Sequence, residues 1–182
     1  MKTFQLLCAF ILLSLSFTVN ANCKFDKTAT YAHYQIRVYT DGNSCSLQTY
    51  QMIVQSRGQT LKVLAKQSEP VQQMWVTDLD NDGLFEVLIF SASVETGEYG
   101  ELVLHEWTGN DFNSRFLPVL SSAQQQGYRG FDKYNVYQNQ LIHEFPIYQQ
   151  GDKDCCASGG KRQSVYQYQN NSIKQIASNL IN

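Results

Sequence analysis

The sequence is short of charge, of histidine and of any compact catalytic signature, and each shortage removes a class of function. Charged residues make up 16% of the 182, with 14 lysines and arginines set against 16 aspartates and glutamates, so the formal net charge is only −2. No basic cluster stands out, and without one there is no electrostatic footprint for nucleic acid. The three histidines, His33, His105 and His143, are scattered along the chain. No G-x-S-x-G or H-E-x-x-H arrangement accompanies them, so neither a nucleophile elbow nor a zinc-hydrolase helix is indicated. A histidine on a strand is ordinarily structural, and the chain reads as non-catalytic. C-x-x-C spacing is missing too, which counts against a zinc site. No internal repeat, linker or second domain is visible.

The one membrane-like run is at the start. Lys2 precedes an apolar stretch from Leu6 to Phe17, too short to span a bilayer, and Val19-Asn20-Ala21 has the ending of a cleavage site. These features predict a signal peptide over residues 1–21 and a mature domain over residues 22–182, periplasmic or secreted, with no membrane contact once the signal is removed. Cys8 would leave with the signal. The remaining Cys23, Cys45, Cys155 and Cys156 are an even number in an oxidising compartment, so two disulfides are expected. Three pairings exist. A bond between the adjacent Cys155 and Cys156 would close a tight ring, so the expectation is that each pairs with Cys23 or Cys45 and ties a C-terminal extension to the N-terminal region.

What is abundant is β-chemistry. Tyr34, Ile36 and Val38 alternate with Gln35, Arg37 and Tyr39, and Tyr50, Met52 and Val54 share one parity. Leu61, Val63 and Ala65 repeat the pattern, and glycine, asparagine and aspartate punctuate the runs. Lys133 to Gln138, Leu141 to Tyr148, Gln163 to Gln169 and Ile173 to Ile176 read as further strands. Only Phe116 to Gln126, with Pro118 near its start, reads as a short helix. The expected fold class is all-β, an antiparallel sandwich or a barrel, and exposed edge strands leave pairing into a homodimer open.

The chain is organised around the stretch from Met74 to Trp107. It begins with an acidic loop, Asp78-Leu79-Asp80-Asn81-Asp82-Gly83, closed by Glu86. Asp78, Asp80, Asp82 and Glu86 offer hard oxygen ligands and Gly83 permits a sharp turn, which makes calcium a candidate cation, though none is required. An EF-hand would need a glutamate where Ile89 stands. The other reading is a turn whose aspartates accept backbone N–H groups. Phe85 to Val94 follows, apolar on both parities and therefore covered on both faces. A polar turn, Glu95-Thr96-Gly97-Glu98-Tyr99, then reverses the chain into a hairpin.

This order of strands, acidic loop, apolar strand and Ser93-Val94-Glu95-Thr96-Gly97-Glu98-Tyr99 resembles the periplasmic inhibitors of invertebrate-type (I-type) lysozyme, over Tyr31 to Asp111. The resemblance implies an antiparallel β-sandwich. It also implies a Ser-Gly-x-Tyr turn that enters the catalytic cleft of a lysozyme, here carried by Thr96, Gly97, Glu98 and Tyr99 with threonine in place of serine. A lysozyme cleft is lined by carboxylates, so a hydroxyl donor and a flat amphipathic ring suit it, whereas Glu98 must point away. Lys161 and Arg162, after Ser158-Gly159-Gly160, are a second partner-binding candidate facing an acidic rim. The competing expectation is a calcium-stabilised exported binding module with another ligand. A sugar hydrolase built on Glu95, Glu98 and Glu101 is disfavoured, because residues so close in a turn do not set two carboxylates at the required separation.

Overall fold

The computed structural model describes residues 23–42, 44–93 and 99–181, so the expected signal peptide lies outside the described residues. The first four strands are β1 (Asp26–Tyr31), β2 (Tyr34–Thr40), β3 (Gln48–Ser56) and β4 (Gln59–Ser68). A second set comprises β5 (Val71–Thr77), β6 (Glu86–Ala92), β7 (Gly100–Trp107) and β8 (Phe112–Phe116). After helix α1 (Ser122–Gln125) come β9 (Lys133–Tyr137), β10 (Gln140–Pro146), β11 (Lys161–Gln169) and β12 (Ser172–Ile181). Each set forms its own open, antiparallel four-stranded sheet in which consecutive strands are neighbours.

Tight turns make these meanders cheap to form. Arg57 and Gly58, Gln138 and Asn139, and Asn170 and Asn171 all have positive φ. Paired positive φ values give the turn whose twist matches that of the two strands it joins.

The middle sheet explains the double-sided apolar pattern of β6, which is buried at every position. Phe85, Val87 and Ile89 pack into one core with Ile36, Val38 and Met52 of the first sheet. Leu88, Phe90 and Ala92 pack into a second core with Leu141, Tyr166 and Tyr168 of the third. The fold is thus all-β, with face-to-face antiparallel packing of sandwich type used twice, in three layers and without barrel closure. The first two layers correspond to the stretch that carries the family resemblance. A succession of three four-stranded meanders is an architectural repeat that the sequence does not display.

Two expectations need correction. The helix expected from Phe116 to Gln126 is confined to Ser122–Gln125, and Phe116 instead pairs with Val103 in β8. Pairing with β7 satisfies the backbone there, and tertiary pairing overrides local propensity. The surviving helical turn is held by a capping box between Ser121 and Gln124, whose amide also donates to Gln175 and Ser178 of β12.

The disulfides also differ from expectation. Cys23 is bonded to Cys45, and Cys155 to its neighbour Cys156, so no bridge ties the C-terminal loop to the N-terminal region. The layers give the reason. One cysteine pair belongs to the first sheet and the other to the third, with the middle sheet between them, and a disulfide needs its two Cα atoms within about 7 Å. No helix among the described residues is long and apolar enough to cross a membrane.

Candidate functional site

β6 and β7 stay in register from Glu86 opposite Glu106 to Ala92 opposite Gly100. The Ser93 N–H then reaches the Tyr99 carbonyl at 3.4 Å. Thr96, Gly97 and Glu98 lie outside the described residues. Tyr99, the last member of the expected contact set, is 54% exposed, and its ring stands edge-on to Tyr128 with centroids 5.7 Å apart. Its neighbour Gly100 donates its N–H to Asp132 at 2.9 Å. A Cβ at position 100 would collide with the Phe90 ring and lie 3.2 Å from Asp132 Cβ, so a side chain there would push β7 off its anchor.

Asp132 is the hub beneath the hairpin end. Its carboxylate also accepts the Tyr128 hydroxyl at 2.7 Å and His143 Nε2 at 2.6 Å, in a buried setting. Burial first, and the bond to Asp132 second, hold the Tyr128 hydroxyl well above the ordinary tyrosine pKa, so it remains a donor. Tyr134 stacks on His143 at 4.4 Å and 12°. Sequence reasoning did not single out Asp132, Tyr128 or Tyr134 and treated His143 as structural. All four belong to the C-terminal part of the chain, and only the packing of the third sheet brings them to β7. The one trace in the sequence is the hairpin register that sets His143 opposite Tyr134.

At the opposite end of β6 the acidic loop draws its carboxylates together. One oxygen from each of Asp78, Asp80 and Glu86 lies within 4.8 Å of the others. Asp82 is not in that group. Its Oδ1 accepts the Leu84 N–H at 2.7 Å, so it serves the turn. Asp78 also accepts the Gly83 N–H at 3.0 Å and the Tyr31 hydroxyl at 3.0 Å. The loop is thus a backbone-capping turn whose carboxylates also converge. Burial pushes Glu86 up to about 8, against the Leu79 N–H bond that favours its charged form, and the neighbouring aspartates add to the rise. Three hard carboxylate oxygens are donors suited to calcium, which would complete its shell with backbone oxygens or water.

Around the third sheet, Asp152 organises the loop before β11 by accepting the N–H groups of Gln149 and Ser158 at 2.7 and 2.8 Å. Lys161 is exposed beside a pocket of about 640 Å³ that Cys155 and Cys156 also line, distinct from the one lined by Tyr99. Arg162 donates to Ser178 at 3.3 Å, and its Nε is buried with no hydrogen-bond partner among the described residues, so it is tied into its own sheet. The structure does not bring these two cations to the Tyr99 pocket.

No family model, curated protein or solved structure matches the chain. The functional reading therefore rests on residues and geometry, together with the resemblance noted in the sequence.

Proposed function

We propose that this protein is an exported, non-catalytic inhibitor that inserts the end of its central hairpin, Thr96 to Tyr99, into the active-site cleft of a lysozyme, the I-type class favoured. One observation carries the reading: Tyr99 is exposed at the end of a hairpin whose body is buried in two cores and whose next residue is fastened to buried Asp132. A fixed base lowers the ordering penalty of binding through Tyr99, and an exposed tyrosine is a typical anchor. The test is inhibition of C-type, G-type and I-type lysozymes by the mature chain. Tyr99→Ala is expected to weaken inhibition about 30-fold, the effect of losing about 2 kcal/mol at an anchor, with the circular dichroism spectrum and melting temperature unchanged. A wild-type chain that inhibits none of the three classes rules the reading out.

A second reading, a calcium-stabilised binding module with a different ligand, is favoured by the convergence of Asp78, Asp80 and Glu86. It predicts that calcium at 100 times its dissociation constant stabilises the chain by about 2.7 kcal/mol and that a chelator reverses this. Glu86→Gln should abolish the response. The acidic loop and Tyr99 lie at opposite ends of β6, so the two readings are tested by separate variants.

A further inference from the structure

A pocket of about 560 Å³ opens between Tyr99 and Gly100, the segment that follows β8, and the face of the third sheet. Its walls are aromatic, with Tyr99, Phe116, Tyr128, Tyr134 and Tyr166 all contributing. Leu102, Leu117 and Pro118 supply aliphatic surface. Among the described residues, Glu101 is the only acidic or basic side chain in this lining apart from the His143 imidazole. Lys66 Nζ sits 5.4 Å over the ring of Phe116, which lines the pocket, but Lys66 itself is not part of the lining.

His143 supplies the second clue. The ring is 4% exposed, and Nε2 is engaged by the acceptor-only carboxylate of Asp132, so Nε2 carries the proton. In the neutral ring this leaves Nδ1 a bare lone pair, and Nδ1 is buried with no hydrogen-bond partner among the described residues. Buried polar atoms are ordinarily satisfied, and this unpaired nitrogen belongs to a residue that lines the pocket, so a donor entering there would pair with it after a small shift of the ring.

We propose that this pocket binds an organic cation on an aliphatic stem, a guanidinium or alkylammonium group of the kind that ends an arginine or lysine side chain. Each lining feature asks for that chemistry. Aromatic faces carry negative potential and attract cations, the Glu101 carboxylate complements the charge, and His143 Nδ1 needs an N–H. The stem would lie along Leu102 and Leu117, as long basic side chains do on apolar surface. An anion would meet Glu101 with no compensating cation in the lining, and a purely apolar ligand would leave Nδ1 unpaired. The inference does not require the partner to be a lysozyme. A free small molecule and a side chain on a bound protein present the same cation, and the chemistry is the same.

The probe is butylguanidinium, with N-butylurea as its neutral counterpart of like shape, titrated into the full mature chain and followed by amide shifts in NMR. Butylguanidinium is expected to give saturable shifts at Gly100, Glu101, Tyr128 and Tyr134, with N-butylurea about tenfold weaker. Glu101→Gln and Tyr99→Leu should each weaken the cation about three- to fivefold, and Glu144→Gln, at the other pocket, should leave it unchanged. Absence of saturable shifts, equal binding of the urea, or indifference to Glu101→Gln overturns the proposal. Competition between butylguanidinium and lysozyme identifies a partner's side chain as the natural occupant, whereas binding without competition identifies a small cation, and both outcomes uphold the site. A chain that binds the probe yet inhibits no lysozyme retains this inference and loses the inhibitor reading. Inhibition with no probe binding does the reverse.

Discussion

Asp132 takes three donors, from Gly100, Tyr128 and His143, on two buried oxygens, and so joins the hairpin to the third sheet. Removing it leaves those donors without a partner. Asp132→Ala is expected to destabilise the fold by about 3–5 kcal/mol in urea titration, and Asp132→Asn by less because it keeps an acceptor. His105 is the contrasting case. Its ring is fully buried, bonded through Nε2 to the Tyr50 hydroxyl at 2.7 Å and through Nδ1 to Ser114 at 2.9 Å. Burial first, and Lys66 second, press its pKa down to about 3 from 6.5. The neutral ring is the folded form, so its stabilisation is whole above about pH 6.5 and is lost as pH falls toward 3. The slope is about 1.4 kcal/mol per pH unit, or about 2 kcal/mol between pH 7 and pH 5. Urea midpoints at the two pH values should therefore diverge more for the wild type than for His105→Gln.

The hairpins and loops show what local sequence can specify. The turns at Gly58 and at Asn170-Asn171 are legible because glycine and asparagine tolerate positive φ, and the strands beside them follow from alternation. β8 was not legible, since none of the five residues Phe112–Phe116 is buried and the strand acquires its state from pairing with β7. The bridges differ in what they constrain. Cys23 and Cys45 are 22 residues apart, whereas Cys155 and Cys156 are adjacent. Replacing the first pair by serine is expected to destabilise the fold by about 3 kcal/mol through the freed loop. The same change at Cys155 and Cys156 closes or opens no chain loop of consequence and should stay within about 0.5 kcal/mol, both read from denaturant midpoints.

Across the whole molecule, the middle sheet is the only one of the three with a described core on each face. Its amides therefore open only when a covering sheet leaves. Hydrogen exchange should be slowest in β6 and β7 and fastest along the outer edges β1 and β12, which lie at the margins of their sheets. Equal protection across all three sheets would contradict the layered packing. The same layering separates the two candidate sites. The acidic loop is cross-tied to the third sheet by Asn139, which donates to Asn81 at 2.8 Å, while Asp132 makes the corresponding tie at the Tyr99 end.

Sequence alone determined most of the strands, though not β1, β5 or β8, and with them the double burial of β6 and several turns, because alternation and turn residues act over a few neighbouring positions. It also singled out the carboxylates of Asp78, Asp80, Asp82 and Glu86, three of which the structure draws together, since that spacing lies within one loop. The tertiary structure decided which faces meet, and with them everything that joins distant segments. It divided the strands into three sheets, kept Cys155 and Cys156 apart from Cys23 and Cys45, and carried Asp132 and His143 to the hairpin end. The physical reason is that burial of apolar faces is non-directional along the chain, so the partners of a buried polar group are fixed by packing and not by nearness in sequence.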